Sequence, residues 1–511
     1  MGNAIIFIKN VLSNHEIRYN KEKANGGCDV MLIKDEQLRA AIIRTLRIKE
    51  DELTEEAMLN LTSLSARSAG IIHLNGLEYA INLNYLDLCG NAIEDLTPLK
   101  DLREIEILNL SKNMLRDIQA LREFRQLRRL DISRNNLYTM DISALAGMHN
   151  LEELNLERSR VDHIVYLESV KKLSKLYIGI ENGPFPLSIL GTLPNLKELH
   201  MNKMWLYSIG DLNYVKDLEY LDLSTNLFSD LSSLLHMKKT LRHLNLTNNQ
   251  YLTDCSMLEE FEQLESLELN FNDIKDFSFL SKLKNLKSLR VVQTHFNDLS
   301  VLDGLTNLEK LDISENRISN PEVLQQMTKL RYFKANNCFL QDIHFLENAK
   351  DLVEVNIYNN NISDISVLKG CDNMTALDVG SNSIKDISCI SDMVNLESLG
   401  LAHNGVSDLS AISCLTNLGV LDLYQNVISD ITPLSNLVNL TSLRLDHNRV
   451  NDLSPLVSCP FLASLTLKAN LVSDVSPLKE LKCLQTLRLD DNPIADISVL
   501  ETLEYYEMFS F

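Results

Sequence analysis

Histidine, cysteine and the carboxylates are the side chains of this 511-residue chain that could do chemistry, and their spacing argues against it. His403 and His447 occupy the same position of repeats two apart, about 10 Å by strand spacing, which is too far for common zinc ligation. His200 and His243 fall on a strand face without a cysteine or third histidine at ligand spacing, and read as solvent-exposed side chains. The nine cysteines are odd in number, none sits in a C-x-x-C pair, and several fall at core positions, so they read as reduced thiols acting as small hydrophobes in a reducing compartment. No G-x-S-x-G, H-E-x-x-H, Walker or dinucleotide glycine loop occurs, and the 17 glycines lie mostly outside any phosphate-cradling arrangement. The expectation is no enzyme, no cofactor and no metal. An active site would have to hide in residues 1–33 or in chance pairings on a sheet.

The elements that must position these residues follow from a repeat. From Leu352 the pattern L-x-x-L-x-L-x-x-N-x-I-x-D-I-S-x-L returns every 22 residues, marked by Asn360, Asn382, Asn404, Asn426, Asn448, Asn470 and Asn492. Backward, the mark falls on Cys338, Asn316, Thr294, Asn272, Asn249, Asn226, Met204, Glu181, Ser159, Asn135, Asn113, Asn91 and a degenerate Ala69, in steps of 22 to 24. In stretches such as Tyr85 to Cys89, alternation at period two sends two Leu inward and leaves the intervening residues on the opposite face of a strand. One strand cannot hide its Leu face, so stacked coils must pair in parallel around a continuous aliphatic core. The marking Asn turns the chain out of the strand, its amide satisfying backbone groups that the bend would leave unpaired. Cys338 and Thr294 read as tolerated substitutes.

Asp stands four residues after the mark in thirteen coils, from Asp95 and Asp117 to Asp474 and Asp496. A cation-binding column is one reading of it. An Asp followed by I-S-P-L is better suited to accepting backbone N–H bonds at a short turn, with Pro98, Pro433, Pro455 and Pro477 at first helical positions. About ten residues per coil remain for the return path, enough for 3₁₀ turns and not for long helices.

The stretches Leu440 to Val450 and Leu484 to Ile494 carry the signature L-x-x-L-x-L-x-x-N/C-x-L, and the chain thereby resembles the leucine-rich repeat family. The 22-residue length and the D-I-S/T-P-L ending (Asp430 to Leu434, Asp452 to Leu456, Asp474 to Leu478) look like the bacterial internalin-type class, which the protein-phosphatase-1 regulatory subunit shares. The fold class expected is an α/β solenoid, a leucine-rich repeat horseshoe of about 20 coils with a concave parallel β-sheet, convex 3₁₀ turns and an N-terminal helical cap. Residues 34–60 are its helical cap, with Leu38, Ala41, Ile42 and Leu46 on one helical face and Thr54-Glu55-Glu56 opening a second short helix. Residues 61–500 form the solenoid, 501–511 a C-terminal cap whose aromatics fold over the last Leu layer, and 1–33 an extension of unknown role. Internalins usually continue into an immunoglobulin-like domain and a surface anchor, and nothing here matches either. Gly183-Pro184-Phe185-Pro186 interrupts the rhythm between Ser159 and Met204, as a binding loop or as drift.

Composition bounds the partners. With 45% apolar and 23% charged residues a large core forms, and a net charge of −21 repels phosphate backbones and anionic headgroups, so neither nucleic acid nor membrane insertion is expected. The short apolar run Ala4 to Ile8 lacks the flanks of a signal peptide, and no stretch approaches 18 apolar residues. A cytoplasmic protein, monomeric without its partner, is expected, with export lacking a recognisable signal as the alternative.

What remains is the surface of the sheet. Its central column runs from Asp87 to Arg488 and is acidic first, mixed or basic later; the neighbouring column passes from bulky and charged (Tyr85, Arg129, Tyr220, His243) to small and neutral (Ala376, Ser398, Ser442, Ser464). Interfaces concentrate their energy in Tyr, Trp and Arg. Contact with a protein partner is accordingly placed on Tyr220, Asp222, His243, Glu268, Arg290, Tyr332, Lys334, Tyr358, Tyr424 and Arg444. The function expected is a non-catalytic scaffold or regulator; an exported effector or adhesin, and an enzyme accessory, are the rivals.

Overall fold

A computed structural model describes residues 32–135, 139–161, 163–179, 187–496, 498 and the backbone of 508–510. Nearly all of the extension 1–33, the Gly183–Pro186 interruption and the terminal aromatic side chains lie outside these residues. The chain divides into two compact units, Met1–Leu196 and Lys197–Phe511.

In the first unit, helix α1 (Glu36–Leu46) buries Leu38, Ala41 and Ile42, and α2 (Glu55–Met58) starts at Thr54, whose hydroxyl accepts the Ala57 N–H. Asp35 ties α1 to the first coil. One carboxylate oxygen accepts the N–H groups of Gln37 and Leu38, the other those of Ile72 and His73 at 2.9 and 3.0 Å. Burial raises the Asp35 pKa, but these four donors prevail and hold it below the ordinary carboxylate value. Six strands follow: β1 (Ser63–Ser65), β2 (Tyr85–Asp87), β3 (Ile107–Asn109), β4 (Arg129–Asp131), β5 (Glu153–Asn155) and β6 (Lys175–Tyr177), each parallel to the next.

The second unit runs β7 (Glu198–His200), β8 (Tyr220–Asp222), β9 (His243–Asn245), β10 (Ser266–Glu268), β11 (Ser288–Arg290), β12 (Lys310–Asp312), β13 (Tyr332–Lys334), β14 (Glu354–Asn356), β15 (Ala376–Asp378), β16 (Ser398–Gly400), β17 (Val420–Asp422), β18 (Ser442–Arg444), β19 (Ser464–Thr466), β20 (Thr486–Arg488) and β21 (Met508–Ser510). Register is preserved coil to coil, as in Ser266↔Ser288 and Leu267↔Leu289, so identical repeat positions stack in columns. In each unit short 3₁₀ turns form the return path, as the residues left per coil require.

Each of β1 to β20 buries its middle residue, and all but β2 and β8, where Asp87 and Asp222 are buried as well, leave both flanks half-buried or exposed. Leu443 is 1% exposed between half-buried Ser442 and exposed Arg444. A buried Leu contributes roughly 1.5–3 kcal/mol, and each coil seals only its neighbours, so stability is a sum of local layers.

The Asn column supplies the polar half of that layer. Asn448 Nδ2 donates to the carbonyls of Leu445 (3.0 Å) and, one coil back, Leu423 (2.8 Å), while its Oδ1 accepts the Ile428 N–H at 3.0 Å. The same three bonds recur at Asn113, Asn316, Asn382, Asn426 and Asn470. The Asp column caps turns as expected: in all thirteen coils Asp Oδ1 accepts the N–H two residues on. Asp141 and Asp254 do the same in longer coils where the fixed offset fails.

The substitutes for Asn carry a consequence that their chemistry as donors does not reveal. Thr294 Oγ1 donates to Val291 O at 2.7 Å and Cys338 Sγ to Ile313 O at 3.2 Å, each replacing part of the amide's role. The residue before every described mark has a positive φ, a conserved bend of the coil. Among the described residues, a second positive φ directly after the mark occurs only where Asn is missing: Gly70, Arg160, Trp205, His295 and Phe339 follow Ala69, Ser159, Met204, Thr294 and Cys338. In coils with Asn, the N–H at this position donates to the preceding coil, as from Ser383 to Ile362 O and from Val427 to Val406 O. In the Thr294 and Cys338 coils, the N–H groups of the mark and of the second residue after it converge on one oxygen, Asn316 Oδ1 or Asn360 Oδ1. Two N–H groups aimed at one acceptor form a nest, which requires the residue between them to turn left-handed. His295 and Phe339 are thereby thrown outward.

Candidate interaction surface

Register fixes which side chains share the strand face of the second unit. β8 to β18 spans ten strand steps, roughly 48 Å at about 4.8 Å each, so the ten predicted residues form a strip and not one site.

The first cluster gathers Tyr220, Asp222, His243, Glu268 and Arg290 and adds His200 and Glu198. His200 Nε2 lies 3.1 Å from Glu198 Oε1 and Nδ1 3.9 Å from Asp222 Oδ2, with the Tyr220 ring centred 4.7 Å from its own. Its side chain is only 15% exposed. The reading of His200 as solvent-exposed is therefore corrected: the next coil's Tyr220 and Asp222 cover it, which repeat position alone does not reveal. Burial disfavours the imidazolium, but the Asp222 and Glu198 carboxylates outweigh it and raise the pKa. Asp222 is lowered, burial being overcome by His200 and by Ser224, whose N–H it accepts at 2.8 Å. Burial beside Asp222, Glu268 and Glu198 pushes the Tyr220 hydroxyl up to about 12. Glu268 is raised, chiefly by burial, against the pull of Arg290, which spans Glu268 (3.4 Å) and Asp312 (3.7 Å).

His200 gives a prediction with a definite sign. Its folded pKa exceeds its unfolded value of about 6.5, so its contribution is fully present below that value and is lost as pH rises through the folded pKa. In an NMR titration the His200 ring is expected to titrate above about 6.5, and His200→Gln to remove this part of the pH dependence of unfolding. A folded pKa at or below 6.5 would contradict the arrangement.

The second cluster holds Tyr332, Lys334 and Tyr358. Lys310 Nζ sits 4.9 Å from the Tyr332 ring centre, and Lys334 pairs with Glu354 at 2.7 Å. Tyr358 is 38% exposed and lies over Gly380, where a Cβ would stand 3.0 Å from its ring. In the third, Tyr424 is flanked edge-on by His403 (4.6 Å) and His447 (5.4 Å), and the Arg444 guanidinium stacks 4.2 Å from its centre while bridging Asp422 and Asp446. Sequence reading omitted these two histidines because their column was weighed only for metal.

Much of the central column is less available than its register suggested. Asp87, Asn109, Asp131, Asp222, Asn245, Asp312, Asn356, Asp378 and Asp422 each turn back to accept the N–H two residues on. Arg290, Tyr358 and Arg444 stand exposed beside them. The buried thiols are inert: burial pushes Cys255 up to about 12 and Cys338, Cys389 and Cys459 up to about 11; Cys414 and Cys483 are exposed, and no disulfide joins the described cysteines. Among the described residues no group of three or more His, Cys, Asp or Glu is placed to hold a metal, and no helix is long and apolar enough to cross a membrane.

Family models described as leucine-rich repeat match residues 81–137, 125–179 and 307–327, and a two-copy model matches 394–436. The chain belongs to the leucine-rich repeat proteins. By their 22-residue period and D-I-S/T-P-L endings its repeats are of the internalin-like kind. Internalin C2 of Listeria monocytogenes is 32% identical over 38% of this chain and 84% of its own, with a TM-score of 0.34. The ectodomain of the receptor kinase GASSHO1/SCHENGEN3 of Arabidopsis thaliana, solved with CASPARIAN STRIP INTEGRITY FACTOR 2, superposes with a TM-score of 0.56 at 21% identity, over 83% of this chain and 55% of that one. Toll-like receptor 4 of Equus caballus is 30% identical over 31% of this chain and 23% of its own length. The chain thus spans about a quarter of that curated relative and just over half of that ectodomain.

Proposed function

We propose that this chain is a non-catalytic module that holds a protein partner on the strand face of its second unit, as a scaffold or regulator. The observation that carries the reading is the strip of tyrosines and arginines at Tyr220, Arg290, Tyr332, Tyr358, Tyr424 and Arg444, of which Arg290, Tyr358 and Arg444 are exposed and the other three half-buried, beside aspartates such as Asp222 and Asp422 that accept N–H groups of their own coil. Arg290, Lys334 and Arg444 are held by exposed ion pairs worth about 0–1 kcal/mol, so a partner's carboxylates can replace these pairs at little cost. The net charge of −21 supports a protein and not a nucleic acid as the partner. Unpaired, buried thiols support a reducing, cytoplasmic location, which cell fractionation tests.

Tyr332→Ala/Tyr358→Ala removes two anchors that contribute nothing to the Leu core. The variant is expected to keep its circular dichroism and melting curve and to lose its specific prey in a quantitative pull-down, by at least about tenfold, since anchor truncations each cost upward of 1 kcal/mol. Unchanged recovery would place the contact elsewhere.

A further inference from the structure

The two coils without Asn at Thr294 and Cys338 frame a groove of about 690 Å³ beside the strand ends of the second unit, away from the central column. His295 and Phe339, the two residues turned outward, line it two coils apart. Between them lie Glu315, Arg317 and Asn337, with Asn359 one coil further on and four more asparagines in the lining. We propose that this groove binds a carbohydrate bearing a carboxylate, of the uronic or sialic acid type.

The volume is that of a small-ligand site, roughly 300–1,000 Å³. Its polar lining is dominated by carboxamides, each offering donors and an acceptor on one planar group, a match for adjacent hydroxyls that are themselves donor and acceptor. Asn359 donates to Asn337 Oδ1 and Asn337 donates to Glu315 at 2.6 Å, so these amides are already oriented before a ligand arrives. Phe339, 68% exposed, offers an apolar ring face for the C–H side of a pyranose. A peptide would find little else apolar here. Arg317 is exposed and, among the described residues, has no hydrogen-bond or ion-pair partner. In a chain of net charge −21, an arginine left unpaired beside amides is a fork for one carboxylate.

The test uses the full chain on an array of neutral and carboxylated oligosaccharides, with hits titrated in solution, and acetate and an acidic peptide as competitors. Wild type is expected to retain carboxylated glycans above their neutral counterparts. Arg317→Gln is expected to lose that preference and Phe339→Ala to weaken binding of both kinds, each by about tenfold or more. Both side chains are exposed, and matching melting curves establish that the variants fold. Any of three results would overturn the proposal: no carboxylated glycan retained, retention indifferent to both substitutions, or equal competition by the acidic peptide.

Discussion

Asn448→Leu is expected to lower the stability of the second unit by about 3–5 kcal/mol although it leaves the packed volume nearly unchanged. The amide serves three buried groups: it is the partner of the Ile428 N–H, and it shares the Leu423 carbonyl with Asn426 and the Leu445 carbonyl with Asn470. A buried polar group stripped of its partner costs roughly 1–3 kcal/mol and a lost hydrogen bond roughly 1 kcal/mol; Leu strands the Ile428 N–H and takes one of two donors from each carbonyl. Asn448→Thr restores one donor, as Thr294 does for Val291 O, and is expected to cost about half as much. Urea denaturation followed by far-ultraviolet circular dichroism measures both. Because each coil touches only its neighbours, the loss should appear as an early partial transition and not as a uniform shift. Equal effects of Leu and Thr would mean that the Asn column is not what joins the coils.

The second large effect belongs to the other half of the same coil. Leu443→Ala empties a site 1% exposed in the middle of β18 and is expected to cost about 2–5 kcal/mol. Arg444→Ala, one residue on, faces solvent and is expected to cost about 1 kcal/mol, since it gives up a half-exposed pair to Asp422, a pair to the buried Asp446 and its stack on Tyr424. The same denaturation experiment compares them. The contrast between adjacent residues is the energetic form of the period-two pattern, and similar costs at both positions would deny that β18 has an inner and an outer face.

The architecture was legible because it rests on spacing alone: the Leu columns, the Asn column and the Asp caps recur at offsets that the chain repeats many times. Asp141 and Asp254 escaped only because their coils are longer than 22 residues. The surface was less legible. Repeat position shows that Asp222 leaves the sheet, but not that its carboxylate folds back onto the Ser224 N–H, nor that Tyr220 in the same coil covers His200 in the one before. The rim groove depends on a subtler rule, the left-handed residue that follows a missing Asn. Its signal was in the sequence at Thr294 and Cys338, which satisfy the fold as donors and so drew no attention to His295 and Phe339.

The claim on which the functional account rests is that the partner docks on the strand face of the second unit. A photo-crosslinking residue at position 358 on that face, and another at Val438, 46% exposed beside the 3₁₀ turn Thr432–Asn436, test it in one experiment. A discrete adduct from position 358, with none from 438, is predicted. An adduct from 438 alone would contradict the account.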